Sequence, residues 1–276
     1  MNSVAFLLLV TVSPASQAAV APTLASHTAC ARLAKQLKSD PDEKQRAAAA
    51  TALGGLHDDS ECAVKALFGA VRDDDTYYVP YAALHALGAL GPIAVSAVDD
   101  LMQVDRGAKP PLNPDLLRET LIKIGPSAIP RLIFHLRMSP PVANDPDQFT
   151  YEDKIGTCGL ASSALKGIGK DVVPALISAL SDPERSWGAA LTLASMGPAA
   201  ADAAPALMAL YERQPSARVS ILSALYGMGG TACAARDFLK KLLLSPEVQG
   251  FERQQVEGAL ANLRDCPTEP QRQTPP

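Results

Sequence analysis

The residues of this chain that could do chemistry are few and scattered. His57, Asp58, Asp59 and Glu61 form its densest group of histidine and carboxylate side chains. Imidazole nitrogen and carboxylate oxygen can together hold a divalent metal ion. All four fall within one short polar stretch, however, and no second ligand set accompanies them, so the stretch reads as a solvated turn. The acidic runs Asp73-Asp74-Asp75, Asp99-Asp100 and the lone Asp182 invite calcium binding or acid–base chemistry. Most stand where a turn precedes a helix, and an aspartate there accepts hydrogen bonds from the first backbone N–H groups. Arg46 and Arg218 are placed to pair with such turn aspartates, whereas Asp99-Asp100 lie inside a helical run and would face solvent. No GxSxG, SxxK or catalytic-cysteine signature occurs. Gly167-Ile168-Gly169-Lys170 lacks both the spacing of a phosphate-binding loop and the Ser or Thr after its lysine. The expectation is no catalytic residue, no cofactor and no metal.

The elements that must position these side chains repeat. Leu87 to Val104 (LGALGPIAVSAVDDLMQV) is a helical apolar run, a Gly-Pro break and a second helical run. The same phrase recurs, with breaks at His57, Gly91, Gly125, Gly169, Gly197 and Gly229, spaced 34, 34, 44, 28 and 32 residues apart. Glycine fits because helices commonly end in a left-handed residue, and His57 is read as a tolerated exception. Pro130 and Pro174 fall in the first turn of the helix after a break, where a missing N–H costs nothing. The pattern predicts helices over 28–37, 43–56, 62–72 and 80–90, and a last one over 251–263. The 44-residue spacing is filled by an irregular segment, 139–156, of a length that in compact folds tends to be functional.

Composition agrees. Of 276 residues, 47% are hydrophobic and only 5% aromatic, with alanine abundant, which favours closely stacked helices over a sheet. The net charge of −4 argues against a polyanion partner. Val4–Val10 is an apolar run followed by Ser16-Gln17-Ala18, the pattern of a secretory signal peptide cut after Ala18, although no Lys or Arg precedes it. No later run reads as the roughly 20 residues of a membrane helix. The expected organisation is a signal peptide at 1–18, a helical domain over 19–266 and a disordered proline-rich tail over 267–276. The expected location is periplasmic or secreted.

One phrase carries a family resemblance: an acidic or proline turn, an Arg, an Ala-rich helix, Leu-Gly, then a second helix. It appears as Asp40-Pro41-Asp42 to Arg46 to Leu53-Gly54, again as Pro215 and Arg218 to Leu225 and Gly227, and again from Asp182-Pro183 to Ala194, with Trp187 near the Arg position. This resembles HEAT repeats, particularly the short bacterial type named after phycobilisome lyases, over Thr28 to Cys266. The resemblance implies an all-α, α-α superhelix of about seven helix pairs with no β-sheet, binding partners on a concave face lined by the second helices. HEAT-like hydroxylases hold iron with His-Glu pairs. The four histidines here are followed by Thr28, Asp58, Ala86 and Leu136, so that chemistry is not expected.

Cys30 and Cys62 stand 32 residues apart, and Cys233 and Cys266 33 apart, each about one repeat. Residues one repeat apart lie on stacked neighbours, so these are candidate disulfides at the two ends; buried free thiols are the alternative. Cys158 reads as an inert buried thiol beside the long segment. Candidate partner contacts are the aromatics outside the apolar periodicity: Tyr77 and Tyr78, with Tyr81 beside them, Phe149 and Tyr151 in the 139–156 segment, and Trp187. For Tyr81 and Trp187 packing between repeats is the competing role. The function expected is non-catalytic protein–protein binding or scaffolding by a monomer, with another protein as partner and no nucleic acid. The alternatives are a bilin-lyase-like enzyme or lyase-associated chaperone, implied by resemblance, and a DNA-binding HEAT protein of the glycosylase kind, which the charge disfavours.

Overall fold

The computed structural model describes residues 28–104, 112–137 and 157–263. The expected signal peptide, the 139–156 segment with Phe149 and Tyr151, Cys266 and the 267–276 tail lie outside the described residues. Among the described residues there is no strand. The helices are α1 (28–39), α2 (Glu43–Leu53), α3 (Ser60–Asp73), α4 (Tyr78–Leu90), α5 (Val98–Val104), α6 (Pro114–Ile124) and α7 (Ile129–Phe134). They continue as α8 (Thr157–Ile168), α9 (Val173–Ala179), α10 (Ser186–Met196), α11 (Ala204–Arg213), α12 (Arg218–Met228), α13 (Arg236–Leu244) and α14 (Gly250–Asn262). Even-numbered helices pack side by side as one layer, from α2 to α14, and odd-numbered helices form the second layer behind them. This is an all-α solenoid of stacked helix pairs.

The glycine breaks turn the chain from one layer to the other. Gly91, Gly125, Gly169, Gly197 and Gly229 have φ of 58°, 77°, 98°, 60° and 55°, the left-handed region a Cβ disfavours. His57 does not share it, because no non-glycine residue described has positive φ. There the helix stops at Leu53, earlier than the expected Leu56, and a Gly54-Gly55 turn replaces the left-handed residue. Gly54 also touches the next even helix: a Cβ on it would stand 2.9 Å from the backbone of Ala86. After Gly91 and Gly197 the chain makes a 3₁₀ stretch, Gly91–Ala97 and Gly197–Ala203, before α5 and α11 begin.

The core runs unbroken between the layers. Leu53, Leu84, Leu87, Leu117, Leu121, Leu165, Leu193 and Leu225 from the even helices meet Leu67, Leu101, Leu132, Leu176, Leu207 and Leu239 from the odd ones, all buried. Small residues let the even helices approach closely, and polar links pin their register. The Thr120 hydroxyl on α6 lies 3.2 Å from the Leu84 carbonyl of α4, and Thr192 on α10 donates to Ser162 of α8 at 3.0 Å. Two stretches, Tyr78–Val104 and Ser186–Arg213, do reach the length and hydropathy of a membrane span, contrary to the sequence reading. Each is broken at its Gly-Pro, into α4 and α5 or α10 and α11, and its apolarity comes from alanine and leucine turned into the stack.

Candidate binding surface

Because successive helices alternate direction, every turn leading from an odd to an even helix emerges at the same rim. Polar side chains fix these turns. Asp42 caps α2 by accepting from the Lys44 N–H at 2.9 Å, and Asn113 caps α6 by accepting from Asp115 at 2.9 Å. Asp74, after α3, accepts from Arg46 Nε at 2.8 Å and Nη2 at 3.2 Å, and from the Thr76 hydroxyl at 2.7 Å. Burial pushes the Asp74 carboxyl up, but the Arg46 and Thr76 hydrogen bonds outweigh it and hold it below the usual range. At the α9–α10 turn, Asp182 accepts from the Glu184 N–H at 2.9 Å and pairs with Arg185. Asp74 and Asp182 therefore hold their own turns together through hydrogen bonds two residues on and through ion pairs; neither caps the helix that follows, since α4 and α10 have no side-chain cap.

Two aromatic grooves open along this rim. At the first, Tyr77 and Tyr78 are 61% and 63% exposed. The Tyr77 ring stands edge-on to Tyr78 at 5.8 Å and stacks on Tyr81 at 6.4 Å, and Tyr81 in turn meets His85 at 4.7 Å. Tyr77, Tyr81, Pro80, Leu112, Asn113 and Leu116 border a shallow surface groove, open to solvent. Of the two roles weighed for Tyr81, the ring lines this groove.

The second groove lies between α7 and α9, with about 560 Å³ of open space bounded by Pro130, Ile133, Phe134, Ala175, Ser178 and Asp182. Phe134 is 48% exposed at its edge, with the guanidinium of Arg137 4.6 Å from the ring centroid and that of Arg185 5.2 Å from it. Arg137 also pairs with Glu184 at 3.3 Å. Sequence reading missed Phe134, although a signal was there. Ile129, Leu132 and Leu136 make the buried stripe of this run, and Phe134 falls outside it.

Other assignments change. Trp187 is 6% exposed; its indole belongs to the core at the start of α10, so it is no surface contact. Asp99 does not simply face solvent. It accepts from Arg131 and lies 3.1 Å from His135 Nε2, tying α5 to α7. Among the described residues Arg218 meets no turn aspartate: its guanidinium lies 4.8 Å from the Tyr211 ring centroid and 3.9 Å from Glu252. Tyr211 donates to Glu252 at 2.5 Å, and burial, reinforced by that carboxylate, pushes the phenol well above its ordinary value.

The polar stretch after α2 is not wholly solvated either. Asp59 is 6% exposed, and its carboxylate and the sulfurs of Cys30 and Cys62 all lie within 4.8 Å of one another. Those sulfurs are bonded to each other as the expected disulfide, with a Cα–Cα distance of 6.3 Å. Cys233 is disulfide-bonded too; its expected partner, Cys266, lies outside the described residues. Cys158 is a buried free thiol, and burial pushes it up to about 11.

Stacked helix pairs turned by left-handed glycines, with an arginine reaching back to the aspartate of the next turn, define a helical-repeat protein. The family model for HEAT repeats matches residues 31–109, and the described residues beyond it continue the same stack of helix pairs. No curated protein matches the chain.

Proposed function

We propose that this protein is a non-catalytic module that binds or scaffolds another protein, using the odd-helix face and the rim beside it. The observation that carries the reading is the Phe134 groove. A large apolar ring stands half out of the core on an odd helix, held between two arginines, and aromatic and arginine side chains are the commonest anchors of protein interfaces. Helical-repeat solenoids present extended surfaces of this kind to partners. The 139–156 stretch follows in sequence, and its Phe149 and Tyr151 suggest a further contact. The negative charge supports a protein rather than a nucleic-acid partner. Export to the periplasm or beyond is part of the proposal, supported by the signal-like amino terminus and by the Cys30–Cys62 bridge, since disulfides persist in oxidising compartments.

The test is native mass spectrometry of the protein purified gently from its host's cell envelope, beside the Phe134→Ala/Arg185→Glu variant. A polypeptide that travels with the parent protein should leave the variant, with affinity reduced about 30-fold or more, as for an interface hot spot of about 2 kcal/mol. Helicity should not change. Undiminished association in the variant would remove the groove as the binding surface.

A further inference from the structure

The tyrosine groove asks for a different ligand from the Phe134 groove. Its walls are the stacked rings of Tyr77 and Tyr81 on one side and Leu112 with Leu116 on the other, with Pro80 in the floor. Asn113 stands exposed at its edge. The Asn113 Oδ1 is taken by the N–H groups of Asp115 and Leu116, at 2.9 and 3.4 Å, which leaves its Nδ2 protons to donate outward. An aromatic ridge facing an aliphatic one, with a hydrogen-bond donor at the edge, suits a polyproline II strand. Such a strand has no internal hydrogen bonds, so its carbonyls remain available, and its ring faces fit between aromatic side chains.

The chain itself carries such a segment. Pro267, Pro270 and Pro276 are spaced in multiples of three, and three residues make one turn of polyproline II, so a strand of that form would present them along one edge. Arg272 lies between them, and the exposed Asp75 sits two residues before Tyr77. The segment cannot seat these three prolines together on its own tyrosines, since only Pro276 of the three could come near them. Pro270 is seven residues beyond Leu263, a span of about 25 Å at full extension. Five helix spacings, from α14 back to α4, separate Leu263 from the groove, about 40–50 Å along the stack.

We infer that the Tyr77–Tyr81 groove docks the proline-rich segment Pro267–Pro276 of a second copy of this chain. The inference rests on the binding-module reading and names one ligand of its rim. The groove lies near the amino end of the stack and the segment beyond its carboxyl end. The contact is therefore head-to-tail, and an open chain of copies keeps one free groove at one end and one free segment at the other until a ring closes.

Sedimentation velocity of the full chain across a concentration series tests this. Self-association is expected, and a synthetic peptide of residues 267–276 in excess should reverse it. The Tyr77→Ala/Tyr81→Ala variant should weaken it at least tenfold, and so should Pro267→Ala/Pro270→Ala/Pro276→Ala, which leaves the folded core untouched. Tyr226→Ala, which removes another exposed tyrosine (49%) on α12, should change nothing. Circular dichroism checks that the variants fold, and Tyr77→Ser alone, outside any helix, serves if the double variant does not. A chain that stays monomeric to about 1 mM, the weak limit of specific recognition, overturns the inference, as does association that survives either set of substitutions. The envelope partner bound at Phe134 is read separately and should persist in the tyrosine variants. Its loss from the Phe134 variant alone would leave the tyrosine groove unaffected.

Discussion

Arg46 in α2 holds Asp74, 28 residues later, in a two-pronged ion pair with contacts of 2.8 and 3.2 Å. The two side chains are only 13% and 10% exposed. The guanidinium also donates to the Asp40 carbonyl at 3.0 Å, so one arginine closes the turn before its own helix and the turn before the next. It acts as a clasp between repeats.

Asp74→Asn keeps the shape but loses the charge that faces Arg46. Removing one partner of a shielded, charge-assisted pair should cost about 2–3 kcal/mol, read as a lower chemical-denaturation midpoint. The pH dependence has a definite sign. The folded-state pKa of Asp74 is lowered from 3.8. Its contribution is therefore present above that ordinary value and is lost as pH falls through the folded value. The parent protein should shed this share of its stability below about pH 4, and the Asn variant should show a flatter acid limb.

Two glycines in helix interiors should respond oppositely to alanine. A Cβ at Gly188 in α10 would stand 2.3 Å from the Leu136 carbonyl oxygen, a backbone atom that cannot step aside. Gly188→Ala should destabilise by about 2 kcal/mol through overpacking. Gly69 in α3 has nothing within 4 Å of such a Cβ, and Gly69→Ala should be neutral or stabilise by up to about 1 kcal/mol from helix propensity. Thermal melts of the two variants, on either side of the parent protein, check the pair.

The Cys30–Cys62 bridge ties α1 to α3. Cys30→Ala/Cys62→Ala should lower stability by about 2–4 kcal/mol, with the damage confined to one end. Hydrogen exchange should quicken in α1 to α3 and stay unchanged in α12 to α14, because each helix pair touches only its neighbours. Equal quickening throughout would show that the stack melts as one unit.

Cys158 should be silent to thiol reagents while the protein is folded. With the thiol pushed up to about 11, roughly one molecule in a thousand carries the thiolate at pH 8. Alkylation at that pH should be slower than for an exposed cysteine by two orders of magnitude or more, and guanidinium should release it. Rapid native labelling would place the sulfur at the surface.

The repeat was legible because its cause is local. A helix that must end left-handed takes glycine, and five of the six aligned breaks have positive φ. The sixth, His57, was assigned by spacing alone, and a Gly54-Gly55 turn three residues earlier does the work instead. The Arg46–Asp74 clasp and the Cys30–Cys62 bridge were also readable, since residues about one repeat apart face each other across stacked helices. What failed depended on a third element. Asp59 looks solvated in its own polar stretch and is buried by its place beside the disulfide to α1. Trp187 left two roles open in sequence, surface contact or packing between repeats, and burial by its neighbours decides for packing. Asp99 gained partners only when α7 came alongside. The aromatic cluster at Tyr77 was visible in sequence, but Leu112 and Asn113, which make it a groove, come from the next repeat.

Since most contacts run from each helix pair to the next, the molecule behaves under tension as links in series. Pulled from both ends, it should lengthen in steps of one pair, each link giving way without warning its distant neighbours. The Cys30–Cys62 bridge takes its enclosed loop, a sequence separation of 32 residues, out of that extension. The amino-terminal end is thereby an inextensible anchor, and the slack of the molecule lies towards its middle.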